Sequence, residues 1–260
     1  MASMHHEALT PLVFALLVLA GGAAGFVDSI AGGGGIITLP ALLAVGLPPH
    51  LALGTNKLQS SFGSLTASLR YRAAGIVRFR DMIPGILATA AGAGLGAAAV
   101  GAVNSGFLRL LIPLLLLAIL VFLMLRPRFG LDAGKKRISW LPFWVGAGLL
   151  LGFYDGFFGP GTGTFWAMAL VGLAGLDLQG ATAHTKVANF TSNLVSLAVF
   201  LAAGTVVFSV GLAMGAAEVV GAWAGSRMVL RRGAGFVRVV VLVVTGAMIA
   251  YIVLRYWVGA

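Results

Sequence analysis

Two lysines, two aspartates and two glycine clusters recur in one order along the 260-residue chain. Asp28 is followed by Gly32–Gly35 and then by Thr55-Asn56-Lys57, with Ser61 and Ser64 one and two helical turns on. Asp155 is followed by Gly159-Pro160-Gly161-Thr162-Gly163 and then by Thr185-Lys186, with Asn189 and Asn193 at similar spacing. The offset is 127 between the aspartates (155 − 28) and 129 between the lysines (186 − 57), so the chain is duplicated with two extra residues in the second copy. A glycine-rich turn that opens a helix presents free N–H groups, and the helix dipole adds about half a positive charge there. Two such tips, each with a lysine heading a polar stripe on the next helix, are the parts of an anion site. Its candidate residues are Gly33, Gly34, Gly35, Asn56, Lys57, Ser61, Ser64, Gly161, Thr162, Gly163, Thr185, Lys186, Asn189 and Asn193. Pro160 and Thr162 leave the second tip fewer N–H donors than the first.

The elements that must position these residues are membrane helices. With 60% hydrophobic and 9% charged residues and a mean hydropathy of +1.03, the chain cannot be a soluble domain of this length. The absence of cysteine excludes disulfides, thiol catalysis and cysteine-ligated metals. The spacing of apolar runs predicts segments near 9–28, 36–46, 51–72, 82–101, 107–125, 140–157, 163–176, 179–203, 209–228 and 236–257, five per half. The first is expected to be a retained helix rather than a signal peptide, because only His5, His6 and Glu7 precede it and no basic region does. Segments 36–46 and 163–176, at ~16 Å and ~21 Å of helical rise, are too short to cross and read as re-entrant arms. Glycines four apart at Gly21/Gly25, Gly92/Gly96 and Gly221/Gly225 suit close helix contacts.

The net charge of +10 is explained by topology rather than by nucleic acid. Of 17 basic residues, 13 fall in three gaps, at 70–80, 126–137 and 227–238, while the repeat-equivalents of the first and third, 199–209 and 98–109, carry only Arg109. The halves are therefore expected to point opposite ways, and five segments per half produces that inversion. The fold class is all-α polytopic: two inverted five-segment repeats with 8–10 transmembrane helices, two of them short. Residues 1–128 form the first repeat, 129–139 a basic cytoplasmic linker and 140–260 the second repeat. Both termini are expected outside the cytoplasm.

Charged groups within the membrane are functional candidates, since each costs ~2.5–3.5 kcal/mol on insertion scales. Lys57 and Lys186 have a plainer alternative, snorkelling from a nearby helix end. Asp28 and Asp155 are coupling candidates, with hydrogen bonding to the glycine tips as the alternative. Glu218 has Thr89 as its repeat partner and reads as an isolated polar contact, and His184, opposite Thr55, as a hydrogen-bonded core histidine.

Phe26-Val-Asp-Ser-Ile-Ala-Gly-Gly-Gly-Gly35, Thr55-Asn-Lys-Leu-Gln59, Gly152-Phe-Tyr-Asp-Gly-Phe-Phe-Gly-Pro160 and Ala181-Thr-Ala-His-Thr-Lys186 resemble the TauE/SafE sulfite and sulfonate exporter family, in its YfcA-like branch. The resemblance spans essentially the whole chain. It implies a bacterial inner-membrane permease for small sulfur-containing anions, bound near mid-membrane between the two tips. The expected partners are that anion and the lipid bilayer, with no nucleic acid, no cofactor and no metal, and a homodimer stays open. The paired aspartates also raise a diaspartyl intramembrane protease, but each follows Gly-Phe-Val or Gly-Phe-Tyr rather than Gly-x-Gly, and two lysines would keep both ionised. An anion channel is the other alternative. It differs from a carrier in flux that does not saturate.

Overall fold

The computed structural model describes the backbone of residues 10–125 and 137–257, with side chains left undescribed at 119–120, 123–125, 238, 241–242 and 244–257. The helices run α1 (Pro11–Ala31), α2 (Gly34–Ala44), α3 (Pro49–Ala73), α4 (Ile83–Gly101), α5 (Ser105–Leu125), α6 (Trp140–Phe157), α7 (Thr162–Gly172), α8 (Leu178–Ala202) and α9 (Phe208–Trp257). A 3-10 turn at Phe79–Met82 precedes α4. Within α9, Gly233 at φ 69°, ψ −164° leaves the helical region and divides it into two arms, so ten helical segments match the ten expected. The fold is all-helical among the described residues, as expected of a polytopic membrane protein. Most of the linker assigned to 129–139 lies outside them.

Pro11–Ala31, Phe79–Gly101 and Phe208–Val237 are long and apolar enough to cross a membrane among the described residues. Helices α3 and α8, each 25 residues, have the length but carry the polar runs of the site. Large apolar side chains line the outside, Leu12 and Leu150 at 70% exposure and Val220 at 68%, which suits lipid as the surrounding solvent. Short helices α2 and α7 have 11 residues each, about 16 Å of rise. Each starts at a glycine in the left-handed region, Gly33 at φ 97° and Gly161 at φ 81°, a conformation that a β-carbon would strain.

The long helices of the halves exchange partners: α1 packs on α9, and α6 packs on α4. Glycines make both contacts close. A β-carbon on Gly21 would fall 2.7 Å from Met214 O, and one on Gly152 would fall 2.6 Å from Thr89 O. Lipid offers helices no hydrophobic incentive to associate, so tight packing of this kind holds the bundle together. Two apolar clusters form the ends of the core, one around Trp144, Trp166 and Tyr71, the other around Leu39, Leu53 and Phe200. Helices α3 and α8 contribute to both clusters, and between those contributions each carries buried polar residues, from Thr55 to Ser64 and from Thr185 to Ser196. The polar site therefore occupies the middle of the molecule.

Helix α6 allows an internal test. Gly146→Ala meets nothing within 4 Å, whereas Gly152→Ala presses on α4. The first should raise stability by up to about 1 kcal/mol through helix propensity, and the second should lower it by about 1–3 kcal/mol through overpacking. Thermal unfolding in one detergent will read both, and equal effects would contradict the packing described.

Candidate functional site

Lys57 and Lys186 are each the ninth residue of a 25-residue helix, α3 and α8. At 1.5 Å per residue that is about 12 Å from the helix start, and the two are 1% and 0% exposed. Neither reaches a surface, which removes the snorkelling alternative. Each takes its counter-ion from the other half. Lys57 Nζ lies 2.7 Å from Asp155 Oδ1 on α6, and Lys186 Nζ lies 2.8 Å from Asp28 Oδ2 on α1.

Lys57 also donates to the Asp155 carbonyl at 2.5 Å and to Asn193 Oδ1 at 3.3 Å. Ser192 Oγ donates to the second Asp155 oxygen. Asp28 has a different second contact: its Oδ1 accepts from Gly34 N at 3.3 Å, at the first tip. The tip contact weighed as the alternative role of the aspartates is present for Asp28 alongside its ion pair, while Asp155 spends both oxygens on Lys57 and Ser192.

The two tips touch. A β-carbon on Gly32 would lie 2.5 Å from the Gly163 carbonyl carbon, and one on Gly35 would lie 3.3 Å from Pro160 Cα. The N-cap residues of α2 and α7 are glycines and supply no side-chain cap of their own. Thr162 N is taken by Gly159 O, at 3.1 Å, and Thr164 N by Gly161 O, at 3.0 Å. The first half's Ile30 and Ala31 carbonyls, at the end of α1, accept from Thr182 Oγ1 at 3.2 Å and Thr164 Oγ1 at 3.5 Å in the second.

Between the tips lies a polar cavity of about 20 Å³, room for a water or two. Of the residues expected from sequence, Gly33, Gly35, Asn56, Lys57, Gly161, Thr162, Gly163, Asn189, Asn193, Asp28 and Asp155 line it, joined by Ser60 and Gly159. Five do not. Gly34 is held by Asp28. Ser61 and Ser64 donate back to the Lys57 and Ser60 carbonyls of their own helix, at 2.7 and 2.6 Å. Thr185 is buried off the cavity, its Oγ1 without a partner among the described residues. Lys186 reaches the cavity only through Asp28.

Besides Gly159, which belongs to the second glycine tip but was not among the candidates, three contributors were missed. Ser60 is the repeat partner of Asn189 at offset 129, so carrying Asn189 back to the first half would have found it. Thr38 Oγ1, 2.6 Å from Asn56 Oδ1, and Ser192 left no signal in spacing. His184 Nδ1 donates to Gly180 O at 2.7 Å with the Trp140 ring at 5.6 Å, a core histidine as expected.

The sulfite exporter TauE/SafE family matches residues 17–252. The chain belongs to the TauE/SafE family. A probable membrane transporter protein of Haemophilus influenzae is 42% identical over 241 residues, 93% of this chain and 94% of its own. The probable membrane transporter protein YfcA of Escherichia coli K12 is 39% identical over 258 residues, 96% of each chain, and one from a Sinorhizobium species is 43% identical over 253 residues, 95% of this chain and 97% of its own. No solved structure matches the chain. The family and these relatives carry the names of transporters, not enzymes, so this TauE/SafE chain is a membrane-embedded transporter.

In a TauE/SafE transporter with paired charges at its centre, removing one partner should cost more than removing both. Lys57→Gln alone leaves Asp155 uncompensated in a low-dielectric interior and should destabilise by about 3–5 kcal/mol. Lys57→Gln with Asp155→Asn should recover most of that loss. A thermal-stability double-mutant cycle measures the coupling, and additive losses would mean that the two groups are not paired.

Proposed function

We propose that the chain is a secondary active permease of the bacterial inner membrane for small sulfur-containing anions, sulfite or sulfonates, bound between the tips of α2 and α7. The observation that carries this reading is the cavity where both tips meet, lined by Gly33 and Gly35 from the start of α2 and by Gly161, Thr162 and Gly163 from the start of α7. Backbone donors and dipole ends suit an oxyanion. Because each lysine is balanced by an aspartate, the four charges sum to zero, and the net positive potential left comes from the tips. Asn56, Ser60, Asn189 and Asn193 supply neutral side chains around them, which suits a group with several oxygens. The family description supports sulfite as the substrate to try first.

Sulfite, with four heavy atoms, exceeds a cavity of about 20 Å³. Admission of such an anion would need the lining of the cavity to move, which favours a carrier over an open channel. The proposed arrangement is an inverted repeat with both termini outside the cytoplasm, which places the tips at mid-membrane.

Proteoliposomes loaded with unlabelled sulfite or sulfoacetate should take up the labelled anion by counterflow that saturates. Asn193→Ala should raise the half-saturating concentration several-fold, as expected for one lost hydrogen bond of about 1 kcal/mol. Flux that rises linearly with concentration would establish the channel instead. For topology, His5→Cys and Val258→Cys, introduced one at a time into a chain that has no cysteine, should both label from the outer face of the membrane, and labelling of either from the cytoplasm would break the inverted arrangement.

A further inference from the structure

Glu218 is 1% exposed in the first arm of α9, and its Oε2 has no hydrogen-bond partner among the described residues. It faces two glycines. A β-carbon on Gly25 of α1 would lie 2.6 Å from its Cγ, and one on Gly63 of α3 would lie 2.8 Å from its Oε1. The carboxyl thus fills a space left by glycines on the two helices that carry Asp28 and Lys57.

Comparison with the other half gives that space a meaning. Gly152, the repeat partner of Gly25, packs on Thr89, the partner of Glu218. The partner of Gly63 at offset 129 is Ser192, whose hydroxyl donates to Asp155. One half therefore has a serine hydroxyl beside its aspartate, and the other has a glycine with the Glu218 carboxyl in the vacated volume.

We propose that Glu218 is a proton-binding site whose occupancy is linked to anion binding at the tips, so that proton and anion move together. The inference rests on the transport reading above for its linkage, but not for the proton site itself. A carboxylic acid at this position is neutral, as Ser192 is in the other half, with the proton on the unpartnered Oε2. A carboxylate instead adds a negative charge to the site. The helices packed on α9 present Asp28 from α1, Lys57, Arg70 and Arg72 from α3, Arg109 from α5 and Lys186 from α8, while α9 itself has Arg227, Arg231 and Arg232 beyond Glu218. Of these, Asp28 and Lys186 belong to two helices, α1 and α8, that pair their charges across the halves. They are already paired with each other at 2.8 Å, so neither is free to serve as its counter-ion.

Lys57, Lys186, Asp28 and Asp155 sum to zero, so an arriving anion meets a net charge of −1 with Glu218 ionised and 0 with it protonated. Protonation favours the anion, and by linkage the anion favours protonation. A proton fits better than a metal cation, since no group of three or more acidic, histidine or cysteine side chains gathers here or elsewhere among the described residues.

Two variants keep the fold while removing the acid: Glu218→Thr, which copies Thr89, and Gly63→Ser with Glu218→Thr, which rebuilds the Ser192 arrangement beside Asp28. In the purified parent, infrared pH-difference spectra should show a protonated-carboxyl band that both variants lose. A band unchanged in the variants would overturn the proton site. In proteoliposomes, sulfite or sulfoacetate flux in the parent should carry protons in the same direction, read with a trapped pH dye, and its half-saturating concentration should change with pH by about tenfold. Both variants should keep anion counterflow and lose these two effects. Proton movement that persists in the variants, or that opposes the anion, or that sodium replaces, would overturn the linkage. A parent that moves neither anion retires the transport reading, while the infrared result still decides the proton site.

Discussion

Two lysine–aspartate pairs, each crossing from one half of the chain to the other, are the constraint that the rest of the structure serves. A lysine nine residues into a 25-residue helix and fully buried cannot be left without a counter-ion, because the desolvation of an isolated charge costs several kcal/mol. Neither half satisfies its own. Lys57 finds Asp155, 98 positions away, and Lys186 finds Asp28, 158 positions away. The glycine faces of α1 against α9 and α6 against α4 bring the aspartate-bearing helices close enough for this exchange. The aspartates stand near the ends of α1 and α6, just ahead of the glycine tips, so whatever fixes the ion pairs also fixes where the tips meet.

That pairing changes what the lysines contribute. Two bare ammonium groups would give an anion site a net charge of +2 and would hold an anion too well for it to leave. With both neutralised, the attraction for the proposed anion would rest on amide N–H groups and helix ends, which are oriented partial charges that need no rearrangement when it arrives. The lysines hold the scaffold in register, and Lys57 also holds Asn193 at the cavity wall, at 3.3 Å.

Much of this was legible in the sequence because membrane helices announce themselves by length and the duplication by its fixed offset. The ten segments, the short arms, the glycine faces and most of the cavity lining followed from those two signals. The choice of helix face did not. Lys57, Ser61 and Ser64 share a stripe by spacing, yet Ser60 is the serine that faces the cavity, because α3 is buried nearly all round and its polar residues divide between the cavity and its own carbonyls. The ion-pair partners were hidden for a different reason. Offsets relate a residue to its repeat twin, whereas contact across the halves relates it to the twin's neighbour. Glu218 reads as an isolated polar contact from its twin Thr89, and its Oε2 has no hydrogen-bond partner among the described residues; the comparison that adds to that reading is between Gly63 and Ser192 on other helices.

In a duplicated transporter the matched residues and the mismatched ones can have separate tasks. Glycine tips, lysines and aspartates recur in both halves and build the site. Asn193 against Ser64, Ser192 against Gly63 and Glu218 against Thr89 do not recur, and all three gather near the ion pairs. Under the proposed inverted arrangement, access from one side and access from the other are related by exchanging the roles of the halves. A perfectly matched chain would then have two access states of equal energy in a symmetric bilayer. Each mismatch makes those states unequal, and a titratable mismatch makes their difference depend on the proton concentration of the compartment that reaches it. The cavity already shows the inequality, since Lys57 lines it and Lys186 does not. A carboxyl placed on one half alone, where the other half has a hydroxyl, is the smallest chemical change that would couple that inequality to a proton.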